Sequence, residues 1–161
     1  DLYGHPEGEP EQLDGSAYWI DTESFLHYVE TILFQLRRAG FRIVVAHGHG
    51  PSTHHFRENI KRWKEAFGLE LFVCWRRDES DGMGIQTDHA AANETSLMMA
   101  LHPDLVHMEY LDDDPEKQPL AVSGADPRTE ASAERGRKML ETQADRMASL
   151  LTEALERVRA K

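Results

Sequence analysis

The chain has 161 residues, enough for one domain with a buried core, and its 40% hydrophobic and 29% charged content is typical of a soluble globular protein. Its formal net charge of −11 argues against nucleic acid or an anionic membrane as the main partner, because phosphate binding needs a basic surface. The single cysteine, Cys74, excludes an intrachain disulfide. No apolar run approaches the roughly 20 residues of a membrane helix, and no signal peptide is visible, so we expect a cytoplasmic protein.

The first part of the chain predicts a loop, a short strand and a helix. Residues 1–16 show no periodicity and are expected to form a loop, followed by a strand at 17–20. A helix is predicted to begin near Asp21 or Thr22, which are good N-cap residues, and to end at the stop signal Gly40. Its apolar side chains recur at three- and four-residue steps. They are Phe25, Val29, Ile32, Leu33 and Leu36.

Strands and helices then alternate along the chain. The apolar run 41–46 predicts a strand covered on both faces, 55–67 a helix, and 69–75 the next strand. A third helix is expected to end at Pro103. We expect it to bury Leu97, Met98, Met99 and Leu101. This alternation implies parallel strands joined by right-handed crossovers, hence an α/β fold with a doubly wound, mostly parallel sheet flanked by helices.

The C-terminal part predicts a loop and one long helix. Residues 111–128 are acidic, contain several prolines and are expected to form a loop. Residues 129–159 are predicted to form an amphipathic helix that packs on the sheet or on a neighbouring subunit. We therefore predict a single α/β domain over residues 1–161.

Two polar loops follow two of the predicted strands and hold residues suited to chemistry. His47 and His49 alternate with glycines after the first of these strands, and neutral imidazole is the commonest protein ligand for zinc. Asp88 and His89 precede Glu94 where the second loop becomes a helix, whose dipole favours a carboxylate. Because strand ends meet at one edge of an α/β sheet, we expect one active site, with His49 as a metal ligand.

Each of these residues also has a structural interpretation. The first loop could be a tight turn whose histidines cap the following helix. Asp88 or Asn93 could be an N-cap, with Glu94 placed for the helix dipole. Trp75, at the end of a strand, could wall a substrate pocket or belong to the core. Structural and catalytic roles do not exclude each other at the start of a helix.

The two loops together resemble the signatures of the creatininase (creatinine amidohydrolase) family. The matching residues are His49 within a Gly-His-Gly turn, the run 89–99 with its Glu-Thr-Ser sequence, and the run 103–106. The resemblance implies a metal-dependent hydrolase that cleaves a C–N bond of a small cyclic amide or formamide. It also implies two divalent metal ions per site, zinc or else manganese or iron, and a homo-oligomer, commonly a hexamer.

By position, the resemblance also assigns roles. It implies that His49 and Glu94 bind metal, and that His89 and Glu94 are catalytic, with His89 assisting proton transfer. The chain departs from the family pattern at three places: His47 replaces an asparagine, Pro51-Ser52 replaces Gly-Asn, and Ala91 replaces a glycine. The expected substrate-binding residues are His47, Ser52, Trp75 and Asp88.

The family's upstream signature, Glu-x-His-Gly-x-His followed by an aspartate, does not occur in this sequence. It normally supplies several metal ligands. Two interpretations follow: the chain is the C-terminal part of a longer domain whose first part is cleaved or carried on a separate chain, or it is a family member without a complete metal site. Two alternatives to amide hydrolysis remain open. One is hydrolysis of a C–C bond in a cyclic ketone or keto-sugar, and the other is a non-catalytic subunit with the same fold.

Overall fold

The structure is a computed structural model that describes residues 20–48, 50–74, 88–117, 119 and 122–160. The predicted loop at 1–16 lies outside these residues, as does the predicted strand at 17–20 apart from Ile20. In chain order, the helices and strands are α1 (Thr22–Arg38), β1 (Ile43–Ala46), α2 (Gly50–Phe67), β2 (Glu70–Val73), α3 (Ala92–Leu101), α4 (Pro127–Glu130) and α5 (Ala133–Arg159). Two short 3-10 helices, Pro103–Leu105 and Met108–Tyr110, follow α3.

The chain divides into two compact units. The first falls within Asp1–Cys74 and Leu151–Lys161, and the second within Trp75–Leu150. The long helix α5 therefore contributes residues to both units.

Local signals in the sequence set the ends of α1. The Asp21 carboxylate caps the helix by accepting a hydrogen bond from the Ser24 amide, with 2.9 Å between Oδ1 and N. Gly40, with a φ of +99°, supplies the left-handed residue that follows the helix. The predicted boundaries of this helix are confirmed.

The first unit contains a parallel pair of strands joined through α2. β1 and β2 pair in parallel, with Val44 opposite Leu71 and Ala46 opposite Val73. This confirms the predicted parallel arrangement. The prediction that both faces of the first strand are covered is wrong at Val45, which is 39% exposed.

The core of the first unit lies between α1, α2 and the two strands. Its buried members are Leu33, Phe56, Trp63, Leu69, Leu71 and Val73. Trp63 is almost fully buried, and its indole nitrogen donates to Glu30 Oε1 at 2.9 Å. At the end of α2, Arg37 Nε donates to the carbonyl of Phe67 at 3.0 Å and so satisfies a terminal acceptor.

Two predicted helix starts are wrong by about one turn. α2 begins at Gly50 rather than residue 55, because Pro51 suits a first helical turn, where its missing N–H would have no partner. α5 begins at Ala133 rather than residue 129, because the Ser132 hydroxyl caps it by accepting from the Arg135 amide at 3.1 Å. The preceding residues form the separate turn α4.

The second unit buries a different face of α3 from the one predicted. Ala92, Asn93 and Ser96 are buried, whereas Met98 is 39% and Leu101 is 56% exposed. The small face packs against the start of α5, where Ser96 Oγ accepts from the Ser132 amide at 3.0 Å. Asn93 Oδ1 accepts from Arg135 Nε at 2.9 Å. The small polar residues therefore form the contact, and the expectation of a buried Leu/Met face is wrong for Met98 and Leu101.

Candidate functional site

The residues of the first predicted loop lie at the end of β1 and the start of α2, in the first unit. His47 follows β1 and is exposed, and Ser52 is half-buried in the first turn of α2. His49, the predicted metal ligand, lies outside the described residues, as does Trp75. The metal role of His49 and the substrate roles of His47, Ser52 and Trp75 stay predictions.

The second loop enters α3 through a carboxylate cap. Asp88 Oδ2 accepts from the Asn93 amide at 2.6 Å, and Oδ1 accepts from the Glu94 amide at 3.2 Å. The Ala92 amide donates to the carbonyl of Ala125 at 3.0 Å. These three amides belong to the first turn of α3, where the N–H groups have no acceptor within the helix. Asp88 and Ala125 supply the acceptors instead. Both oxygens of Asp88, for which we predicted substrate binding, thus hold the helix start.

The backbone of His89 is held through both its amide and its carbonyl group. Its amide donates to the Ser123 carbonyl and its carbonyl accepts from the Ser123 amide, each at 2.9 Å, in an isolated antiparallel bridge. The His89 side chain is exposed. The imidazole is therefore carried on a fixed backbone and remains accessible.

Ala90 has a left-handed conformation, with a φ of +49°, which costs energy for a residue with a Cβ atom. Glu94 offsets that cost, because its Oε2 accepts from the Ala90 amide at 2.8 Å. The side chain of Glu94 thus reaches back over the loop, as in a capping box. The other oxygen, Oε1, has no hydrogen-bond partner among the described residues. Backbone strain of this kind is concentrated at functional sites.

Gly124 allows the close approach of the segment that supports this loop. A Cβ atom at Gly124 would lie 2.7 Å from Asp88 Cβ and 2.9 Å from Ala91 Cβ, and its φ is +142°. Only glycine fits at this position without displacing the loop. Sequence reasoning missed Ser123, Gly124 and Ala125, which it placed in the acidic loop 111–128. The one signal in the sequence for this segment was Gly124, which lies among the prolines of that loop.

A cavity of about 760 Å³ lies beside Glu94 in the second unit. One wall is a face of α3 formed by Glu94, Thr95 and Met98. Further lining residues come from the segment that holds the two 3-10 helices, including Leu105 and Tyr110. The size lies within the range of ordinary small-molecule pockets.

Arg128 organises the acidic loop that forms part of the cavity wall. Its Nη1 donates to the carbonyls of Asp112 at 2.8 Å and Asp114 at 2.9 Å. Its Nη2 pairs with Asp126 Oδ2 at 2.7 Å. The hydrogen bonds from Arg128 lower the pKa of the Asp126 carboxyl from its ordinary value of 3.8. One guanidinium thus neutralises part of the acidic loop and fixes its backbone.

Because this pKa is lower in the folded state, the Asp126–Arg128 pair stabilises the fold at pH above 3.8, and the contribution is lost as the pH falls through the folded-state pKa. We expect the difference in unfolding free energy between the wild type and Asp126→Asn to be largest near neutral pH and to shrink below pH 3.8. Urea titrations between neutral pH and pH 2.5 or so measure it. Asp104→Asn, at an exposed position, is the matched control. A difference that stays constant over this range would contradict the expectation.

The cap of α3 gives a second prediction. Asp88→Ala should lower the free energy of unfolding by about 1–2 kcal/mol, because two amides of α3 lose their acceptor. Asp88→Asn keeps one acceptor oxygen and should lose about half as much. Urea unfolding beside Asp113→Ala, which removes an exposed carboxylate of the same unit, measures the effect. Equal stability of Asp88→Ala and Asp113→Ala would show that the cap contributes nothing.

The described residues do not by themselves form a metal site. No group of three His, Cys, Asp or Glu side chains within the described parts of the chain is placed to hold a metal ion. Glu94 and His89 are donors of the types that zinc and manganese accept. A complete site would need ligands beyond the described residues.

Comparisons with known proteins agree on one family. The family model for creatininase, described as creatinine amidohydrolase, matches residues 3–151. No curated protein sequence matches the chain.

No helix within the described ranges is long and apolar enough to cross a membrane.

Several solved structures share the fold of the chain. A tryptophan-to-phenylalanine mutant of creatininase matches with a TM-score of 0.67 and 21% identity, over 94% of this chain and 72% of its own. The Zn–Zn form of a glutamate-to-glutamine mutant matches with a TM-score of 0.60 and 20% identity, over 94% and 71%. A creatininase named as its Mn form matches with a TM-score of 0.59 and 21% identity, over 94% and 72%. The predicted α/β fold is therefore confirmed.

Proposed function

Because the chain belongs to the creatininase family, we propose that it is a metal-dependent hydrolase that opens a C–N bond of a small cyclic amide or formamide. The single observation that best supports this activity is the arrangement of His89, Ala90 and Glu94 at the start of α3. A strained loop there carries an exposed His89 and is tied to Glu94, whose carboxylate lines a cavity of about 760 Å³.

Glu94 and His89 have the properties that proton transfer requires. Glu94 lies in the first turn of α3 and lines the cavity. One of its oxygens is held by the Ala90 amide at 2.8 Å, so the other can accept a proton from the attacking water. His89 assists the transfer of that proton from Glu94 to the leaving nitrogen, so that both side chains return to their starting state. In the whole reaction water adds to the carbonyl carbon, the C–N bond breaks, and the nitrogen gains a proton.

His49 and Glu94 are the proposed metal ligands, and zinc is the proposed metal, with manganese or iron as alternatives and two ions per site. The Zn–Zn and Mn forms of the creatininase structures support a divalent metal. Such an ion supplies polarisation of the carbonyl and a more acidic water. His47, Ser52 and Trp75 are the proposed substrate-binding residues, and Asp88 holds the helix that carries Glu94. A homo-oligomer, a hexamer by resemblance to the family, and a cytoplasmic location complete the proposal.

Metal content and turnover together test this function. We expect the purified protein, with any fragment that co-purifies with it, to retain zinc, manganese or iron after dialysis, as measured by plasma mass spectrometry. We also expect it to hydrolyse at least one compound from a panel of candidate substrates that contains creatinine, lactams, formamides and cyclic ketones. A protein that binds none of these metals would contradict the enzyme assignment and favour a non-catalytic subunit.

The panel also distinguishes the reaction types. Release of an amino acid or amine from a lactam or formamide supports C–N cleavage. If only the cyclic ketones are turned over, the proposed C–N cleavage is wrong and C–C cleavage takes its place. The departures from the family signature at His47, Pro51 and Ser52 are compatible with such a change of substrate.

A further inference from the structure

We propose that the cavity beside Glu94 binds an apolar substituent of the substrate, so that the preferred substrate is a cyclic amide carrying an aliphatic or aromatic group. This inference rests on the proposed function for the reacting amide. It goes beyond that function by assigning a substrate class to the residues that line this cavity.

The walls of the cavity are mostly apolar. α3 contributes Met98, and the segment after it contributes Leu105, Val106 and Met108. Pro127, which is buried at the start of α4, also lines the cavity. A pocket of this size and lining is typical of sites for small, largely apolar ligands.

Apolar side chains also remain exposed at this cavity. Met98 is 39%, Leu105 is 61% and Tyr110 is 81% exposed. A bound apolar group would remove part of this surface from water, which is the main source of affinity for such ligands.

Among the carboxylate and ammonium groups that line the cavity, Glu94 is the one without an ion-pair partner within the described residues. Lys117 and Asp112 neutralise each other in an ion pair of 2.7 Å between Nζ and Oδ2. Glu94 retains the oxygen that does not bind Ala90. The cavity therefore combines apolar walls with the Glu94 carboxylate and the polar side chains of Thr95, His107 and Tyr110. An amide that reacts beside Glu94 would place its apolar substituent against those walls.

Binding of two matched lactams tests the inference without depending on catalysis. The probes are a five-membered lactam and the same lactam with a benzyl substituent, titrated by calorimetry. We expect the wild type to bind the benzyl lactam about tenfold more tightly or better, because the phenyl ring leaves water. The double variant Met98→Gln/Leu105→Gln should lose this preference. Leu101→Gln should keep it, because Leu101 is a comparably exposed residue of α3 that does not line the cavity.

The outcomes separate this inference from the proposed function. Equal affinity of the wild type for both lactams, no binding of either, or an unchanged preference in the double variant would each overturn the apolar subsite. If the wild type prefers the benzyl lactam but hydrolyses no amide when supplied with zinc or manganese, the subsite stands and the proposed function fails. If it hydrolyses lactams without preferring the benzyl form, the function stands and the subsite fails.

Discussion

Replacing Glu94 with glutamine should lower turnover by about 10²- to 10⁴-fold, the range expected when a positioned proton acceptor is lost. The fold should remain intact. A glutamine keeps a side-chain oxygen, which can still accept the Ala90 hydrogen bond that the carboxylate accepts at 2.8 Å. We therefore expect the free energy of unfolding to change by less than about 1 kcal/mol. Initial rates on whichever amide the wild type hydrolyses, with urea unfolding in parallel, measure both effects.

Two further variants make the Glu94 result specific. Glu134→Gln removes the same charge from the first turn of α5, so it should leave turnover unchanged. Glu94→Ala removes the acceptor as well as the charge, so it should lose about 1–2 kcal/mol of stability in addition to activity. Full activity in Glu94→Gln would eliminate the proposed role of this carboxylate.

Gly136→Ala should be the most destabilising single-methyl substitution in the second unit. A Cβ atom at Gly136 would lie 2.0 Å from the carbonyl oxygen of Ser96 and 2.6 Å from its carbonyl carbon. Both atoms belong to the backbone of α3, so the helices must move apart. Overpacking typically costs 1–3 kcal/mol, and a clash with backbone lies at the upper end, so we expect a loss of about 3 kcal/mol. Urea or thermal unfolding measures it.

Gly50→Ala is the matched control for Gly136→Ala. Gly50 is also helical, and no atom lies within 4 Å of a Cβ atom built there. Alanine favours a helix more than glycine does, so Gly50→Ala should be neutral or stabilising by up to about 1 kcal/mol. Comparable stabilities of the two variants would show that α3 and α5 do not depend on the close contact at Gly136.

Some of the fold and of the candidate site follows from local sequence alone. Asp21 and Gly40 fix the ends of α1, and Pro103 follows the end of α3, because capping, a left-handed residue and a missing N–H act within one helical turn. The same reasoning anticipated a carboxylate cap at the start of α3. The functional roles that it gave to His89 and Glu94 stay predictions. These signals depend on neighbours a few residues away, which is why the sequence alone reveals them.

Tertiary structure decided which surfaces those elements present. The sequence of α3 offers Met98 and Leu101 as core residues, yet both are exposed, because a helix that packs closely on another presents its small side chains. The partner of Ser96 is Ser132, and the support of His89 is Ser123, each more than thirty residues away along the chain. Pairings over such distances leave no periodic pattern in the sequence. Residues 88–96 thus identified the family and the candidate catalytic groups, whereas the strain at Ala90, the support from Gly124 and the cavity beside Glu94 became visible only in the folded chain.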